Sequence, residues 1–261
     1  GLTLTRQGHS FTQQYHDNYL ITFYTYENTG NTDYDDEIEL NQTLDSIYIS
    51  WGTRYSCGRD GANLVGDGQV YGKHSWVTKR GENYADHYQE VLTESNPIVD
   101  WIRCGFEWVG QSDKNGYDNI GAPEHNGTGR LRSPHHPGVA VLHVDKSPSD
   151  NSDDPNQPFV LGWHAGDTQD YGTSEEDMIK QYFMISGTPS GGKGGNERMD
   201  ELYMGEYPDP WKLHNDGGGT NIWACYGPYT LAPGESVTIV EVEGVAGLSR
   251  ELCENIGSRW K

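Results

Sequence analysis

The sequence predicts a mainly β fold, a single elaborated antiparallel β-sandwich over residues 1–261 with long polar loops and two or three short helices. Three observations predict it. Short runs alternate apolar and polar residues with a period of two, the pattern of a half-buried strand. Clusters of Gly, Asn, Asp and Pro bound these runs, and such residues favour turns. The apolar content is carried largely by rings: hydrophobic residues make up 33% of the 261, yet aromatics reach 11%, with 17 Tyr and 8 Trp. Each buried ring removes about 150–250 Å² from water, a resource that a disordered acidic chain lacks.

The elements follow in chain order. Residues 2–11 and 18–28 read as consecutive strands, and the second, "NYLITFYTYEN", carries bulky β-formers at alternate positions on both sides. That pattern predicts a central strand covered on both faces. "NTGNTDYDDE" (28–37) supplies turn chemistry, and "LDSIYISW" (44–51) resumes the strand period. Residues 58–84 and 111–138 are long polar segments, and 86–110 reads equally as a short helix or a strand pair. A strand returns at 138–146. Residues 173–186 read as a helix, with Thr173 or Ser174 as cap, Glu175 and Glu176 near its positive end, and Met178, Tyr182 and Ile185 on one face. "TPSGGKGGNE" (188–197) is a loop. Residues 236–243 close the strand series before a terminal helix capped by Ser249. No repeat or linker separates domains, and the stretch from Gly1 onward reads as part of a longer secreted precursor.

Charge restricts the partners. Eighteen basic residues against 39 acidic ones give a net charge of −21. Such a field repels phosphate backbones, so nucleic acid is not an expected partner. No apolar run approaches the ~18–20 residues that span a bilayer, so membrane insertion is not expected either. The expected location is extracellular, at a cell surface or in a periplasm. Cys57, Cys104, Cys225 and Cys253 contain no C-x-x-C pair, and an even count in such a chain predicts two disulfides. The local pairing Cys57–Cys104 with Cys225–Cys253 is favoured among three connectivities, and four buried thiols are the alternative.

"YLITFYTYENTGNTDYDDEIEL", "YDNIGAP", "GVAVLHVDKSPSDNSDDPNQP" and "YGPYTLAPGESVTIVEVEGVAGLSRE" together resemble an uncharacterised family of secreted or cell-surface β-sandwich proteins of Gram-negative bacteria, some with C-terminal sorting domains. The resemblance runs from about residue 3 to residue 257. It implies an extracellular sandwich and transfers no activity. "ENTGN" and "LAPGES" are similar to strand-turn signatures of immunoglobulin-like surface modules, which implies the same architecture.

The candidate chemistry centres on "DKSPSDNSDDPN" (145–156). Asp145, Asp150, Asn151, Asp153, Asp154 and Asn156 offer oxygen ligands within this short loop, and calcium takes about six to eight such ligands. The spacing is not that of an EF-hand. The loop therefore reads as a Ca²⁺ site, as a hydrogen-bonded loop without metal, or as a catalytic segment. His143 and Asp145 share one face of a strand, and His135, His136 and His164 lie nearby in sequence; without a short metal-binding spacing, separately bonded histidines are the simpler account. Trp51, Trp76, Trp163 and Trp211 read either as sugar-stacking surfaces or as core. Asn41 and Asn126 open N-glycosylation sequons. No G-x-S-x-G, P-loop or G-x-G-x-x-G is present. Two functional expectations remain. One is a non-enzymatic secreted or envelope-associated structural and assembly protein, calcium-stabilised, that packs with copies of itself or a larger envelope complex. The other is a calcium-dependent extracellular polysaccharide-binding module or polysaccharide-degrading enzyme.

Overall fold

Alternation decides which side chains of 19–28 go inside. Thr22, Tyr24, Tyr26 and Asn28 are buried, while Phe23 and Glu27 between them are exposed. A computed structural model describes residues 1–33, 35–55, 57, 74–77, 103–108, 124–125, 131–132, 135–165, 173–186 and 220–260. Its strands are β1 (Leu2–Ser10), β2 (Tyr19–Asn28), β3 (Leu44–Thr53), β4 (His74–Val77), β5 (Arg103–Trp108), β6 (Glu124–His125), β7 (Leu131–Arg132), β8 (His135–Ser147), β9 (Asp150–Asp153), β10 (Val160–Ala165), β11 (Thr220–Leu231) and β12 (Ser236–Gly247). The helices are α1 (Glu175–Ser186) and α2 (Arg250–Trp260).

The fold is mainly β, as expected. One sheet has the order β1-β2-β12-β8-β5-β4, with β9 hydrogen-bonded to β8, and a second has the order β10-β11-β3. Every strand pair is antiparallel. The sheets share one core: Tyr24, Tyr26, Val141 and Ile239 of the larger sheet cluster with Ile49, Ile222, Tyr226 and Leu231 of the smaller. Trp51 of β3 is wedged between the sheets, its ring 4.8 Å from Tyr24 and 6.3 Å from Tyr26. This is how a chain modest in aliphatic residues fills a sandwich. Among the described residues, no helix is long and apolar enough to cross a membrane.

Backbone proximity sets two glycines. A Cβ on Gly138 would lie 2.6 Å from the Gly105 carbonyl oxygen, so β8 and β5 approach there as only glycine permits. Gly30 takes φ +72° and donates to the Gly1 carbonyl at 3.1 Å, while Leu40 donates back to Gly30 at 3.0 Å. The 30–40 loop is thereby tied beside the start of β1.

Both helix caps form as predicted. Ser174 Oγ accepts from the Asp177 N–H at 3.2 Å, and Ser249 Oγ accepts from the Leu252 N–H at 3.3 Å. The α1 face proposed as apolar is only partly covered, with Met178 at 54% and Tyr182 at 40% exposure.

Three expectations need correction. Central β2 has one covered face rather than two, because the second sheet lies on one side and Phe23 and Glu27 emerge on the other. The 86–110 segment contributes a strand, β5; its other residues lie outside the described ones, as do most of 58–84 and 111–138 and all of 188–197. The two disulfides are absent, for no two of Cys57, Cys104, Cys225 and Cys253 lie at disulfide distance. Strand parity is the reason. Cys57 lies near Glu107, which points into the core from β5, whereas Cys104, three residues earlier, points to the opposite face. Cys225 faces Ser50 of neighbouring β3 at 3.4 Å, and Cys253 bonds the Leu248 carbonyl within the α2 turn. Burial pushes the Cys104 and Cys225 thiols up to about 12, which disfavours the thiolate form that reacts.

Candidate functional site

Residues 145–156 form the β8–β9 hairpin and the turn that leaves it. The pairing Asp145↔Asp153 and Ser147↔Asp150 makes a strand of "DNSD", a sequence of poor β-formers. Hydrogen bonds account for it. Asp145 accepts from His143 Nε2 at 2.8 Å and from the Thr238 N–H at 2.8 Å. Asp153 Oδ1 accepts from the Val144 N–H at 2.9 Å, and Arg103 forks onto both oxygens at 3.0 and 3.2 Å. The same guanidinium donates to the carbonyls of Asp154 at 2.9 Å and Gln157 at 2.7 Å. Asp150 accepts twice from Ser152, and these bonds hold its carboxyl below the usual range. Asp154 accepts from Asn156 through both the backbone and side-chain amides. Asn151 is exposed on β9. Asp145 and Asp153 are thus drawn together through His143, while Asp150 and Asp154 each close a local turn.

His143 Nε2 meets Asp145, and Nδ1 lies 3.9 Å from Asp153. Both ring nitrogens face carboxylates, an arrangement that braces the hairpin. His135 Nδ1 lies 3.2 Å from the Cys57 carbonyl. For His164, Trp76 and Trp163 only the strand position is described, and Trp211 and Asn126 lie outside the described residues. Trp51 is a core side chain, and Asn41 is exposed.

Among the described residues, the acidic side chains that converge most closely are Asp33, Asp35 and Glu39, with ligand atoms within 4.8 Å of one another. A ladder of Asx turns builds this loop. Asn31 Oδ1, Asp33 Oδ1 and Asp35 Oδ1 accept from the N–H groups of Asp33, Asp35 and Glu37 at 2.9, 3.0 and 2.8 Å. Glu39 accepts from the Thr32 amide and hydroxyl, and these bonds lower its pKa. The "NTDYDDE" wording marked a turn, and the spacing of two between its Asn and Asp residues was the signal for this convergence.

The core itself holds acids. Glu107 is fully buried and accepts from the Tyr55 N–H at 3.0 Å. Glu241, opposite Thr22 on β2 and Val141 on β8, accepts from the Tyr226 hydroxyl at 2.5 Å. Burial raises the Glu241 carboxyl to about 7 despite that bond, and Glu243 adds to the rise. Among 39 acids nothing in the sequence distinguished these two.

On the outer face of the larger sheet, small residues on adjacent strands leave a groove of about 310 Å³. Cys104, Gly138, Ala140 and Gly244 form its floor, and Tyr19, Phe106 and His136 contribute rings. Further along this sheet, apolar side chains gather at the β1 edge. Leu2 and Leu4 are exposed there on the face that carries Asn28 and Tyr26, with Ile38 and Leu40 exposed on the loop tied to Gly1, while Phe23 is exposed on the opposite face and Phe11 follows the far end of the strand. No protein-family profile, curated protein or solved structure matches the chain.

Proposed function

We propose that this chain is a non-enzymatic structural module of the cell surface or envelope whose work is to pack against other protein chains. One observation carries the reading: at the open β1 edge, Leu2 and Leu4 stand exposed on the same face as buried Asn28 and Tyr26, with Ile38 and Leu40 exposed on the loop tied to Gly1. Scattered surface leucines need no explanation, whereas apolar side chains that carry the core face out to an unpaired sheet edge mark an interaction surface. The acids of the 145–156 hairpin and of the core are engaged in bonds that support strands. The family resemblance and the charge of −21 favour an extracellular or periplasmic setting, and the Asp33–Asp35–Glu39 loop supplies donors suited to calcium.

The test is photo-crosslinking in the native setting, with a reactive side chain at Leu4 or, as control, at exposed Leu142 on β8. The proposal requires adducts to protein at Leu4 and none at Leu142. Equal yields at the two positions, or none at either, would overturn it.

A polysaccharide-binding module or polysaccharide-degrading enzyme is the second reading. The ring-bearing groove beside Tyr19, Phe106 and His136 favours it. Titration with acidic and neutral polysaccharides while following Trp and Tyr fluorescence distinguishes the two, since a packing module leaves the signal unchanged.

A further inference from the structure

The β1 edge carries information about its partner. Asn28 donates to the Glu235 carbonyl at 2.9 Å and accepts from the Gly234 N–H at 2.8 Å, so its backbone groups turn toward the β12 side. Antiparallel ladders alternate; the even residues of β2 therefore bond toward β12 and the odd ones toward β1. Through the register Thr3↔Glu27, Thr5↔Thr25 and Gln7↔Phe23, the odd residues of β1 are spent on β2. The N–H and C=O groups of Leu2, Leu4, Arg6, Gly8 and Ser10 point away from the sheet. Among the described residues, no strand lies beyond them.

Natural edges are kept from pairing by shortness, proline, bulges or outward charges. The opposite edge, β4, is only four residues long. By contrast, β1 runs nine residues in unbroken register, without proline or acid. Its single charge, Arg6, lies over the Tyr24 ring at 5.6 Å rather than guarding the edge. In a chain of net charge −21, residues 1–26 contain one acid, Asp17. The strand itself therefore brings no carboxylate to a seam between two copies, although the acids of the 30–40 loop lie beside its start.

We propose that β1 pairs antiparallel with β1 of a second copy about a two-fold axis, joining two large sheets into one. The inference rests on the packing function above and names the partner. The full-overlap register centred on Arg6 would oppose two guanidinium groups, which is unfavourable across a strand pair. The register centred on Thr5 avoids this. It sets Thr5 against Thr5, Leu4 of one copy against Arg6 of the other, Thr3 against Gln7, and Leu2 against Gly8. Leu2, Leu4, Arg6 and Gly8 then form the hydrogen-bonded pairs, about eight bonds in all. Leu2 and Leu4, exposed at 42% and 46%, are covered by their counterparts and by the Arg6 stems. One strand contact is a small interface, below about 1,200 Å², so the expected dimer dissociates in roughly the micromolar range.

Sedimentation of the purified chain over about 1–500 μM, at low salt and near 0.5 M salt, tests this. A reversible monomer–dimer equilibrium that tightens at high salt is expected, because screening relieves repulsion between two acidic bodies. Leu4→Pro removes an N–H that β2 does not use and should give a folded monomer. Leu4→Lys, which keeps the backbone intact, should also be monomeric, and mixing it with Arg6→Glu should restore a dimer by placing opposite charges at one paired position. A monomer under all conditions, or a dimer indifferent to both Leu4 variants, overturns the inference. Protein adducts at Leu4 in the native setting, found alongside a strictly monomeric purified chain, would retain the packing function and assign the edge to a different partner.

Discussion

The carboxyl of Glu241 lies 5% exposed between the sheets, accepts from Tyr226, and is held up to about 7 chiefly by burial. In the unfolded chain it returns to about 4.5. Between these values the folded chain keeps a proton that the unfolded chain has released. This group's contribution to stability is therefore fully present below pH 4.5 and is lost as pH rises through about 7. Glu241→Gln keeps an acceptor for Tyr226 and removes the titration. Urea unfolding should find the variant close to the parent near pH 5 and more stable by on the order of 2–3 kcal/mol at pH 8; parallel pH profiles would contradict this. The cysteines show why such details escape a sequence. Spacing along the chain gave Cys57–Cys104 as a natural pair, but pairing depends on which face of β5 each residue occupies. Parity at Cys104 becomes readable only once β5 is distinguished from a helix.

At the scale of elements, β2 and β12 were legible as strands, and Thr22, Tyr24 and Tyr26 of β2 and Val237 and Ile239 of β12 keep the period of two that burial demands; that β2 has one covered face was not legible, because bulky β-formers occupy both of its sides. The helix caps Ser174 and Ser249 were legible for local reasons. The alternation "LTLT" of β1 reads like that of a buried strand, and its exposure follows only from the width of the opposing sheet. In β9 local propensity loses to the neighbourhood, since Arg103 clamps "DNSD" from β5 through Asp153, Asp154 and Gln157. Arg103→Ala should cost about 2–4 kcal/mol in urea unfolding, because it removes charge-assisted bonds and orphans two carbonyls. Limited proteolysis should then cut at 147–153 before the rest of the chain. Calcium belongs to the same scale. If Asp33, Asp35 and Glu39 hold the ion, a melt in millimolar calcium should exceed one in chelator by several degrees. Asp33→Asn with Asp35→Asn should abolish the difference, and Asp150→Ala with Asp154→Ala should leave it. Reversal of those outcomes would return the ion to the 145–156 loop, and identical melts would remove it from both.

For the whole molecule, Trp51, Tyr24 and Tyr26 tie the two sheets through one core. Removing either sheet would expose the inner face of the other. Thermal unfolding followed by far-ultraviolet and near-ultraviolet circular dichroism should therefore show coincident midpoints. Separate midpoints would mean that the sheets melt independently.

The place of β12 has a bearing on synthesis. It lies between β2 and β8, pairing Val237 with Tyr26 and Glu241 with Val141, although it is the last strand in the chain among the described residues. A ribosome delivers β1 and β2 more than two hundred residues before the strand that joins them to β8. Until residue 247 emerges, the β1–β2 hairpin has an open flank on the side that β12 will occupy, and hairpins alone are marginal in water. Such long-range closure folds slowly. A nascent chain stalled before residue 236 should accordingly be captured by holdase chaperones through β2, and release should follow when β12 has cleared the exit tunnel.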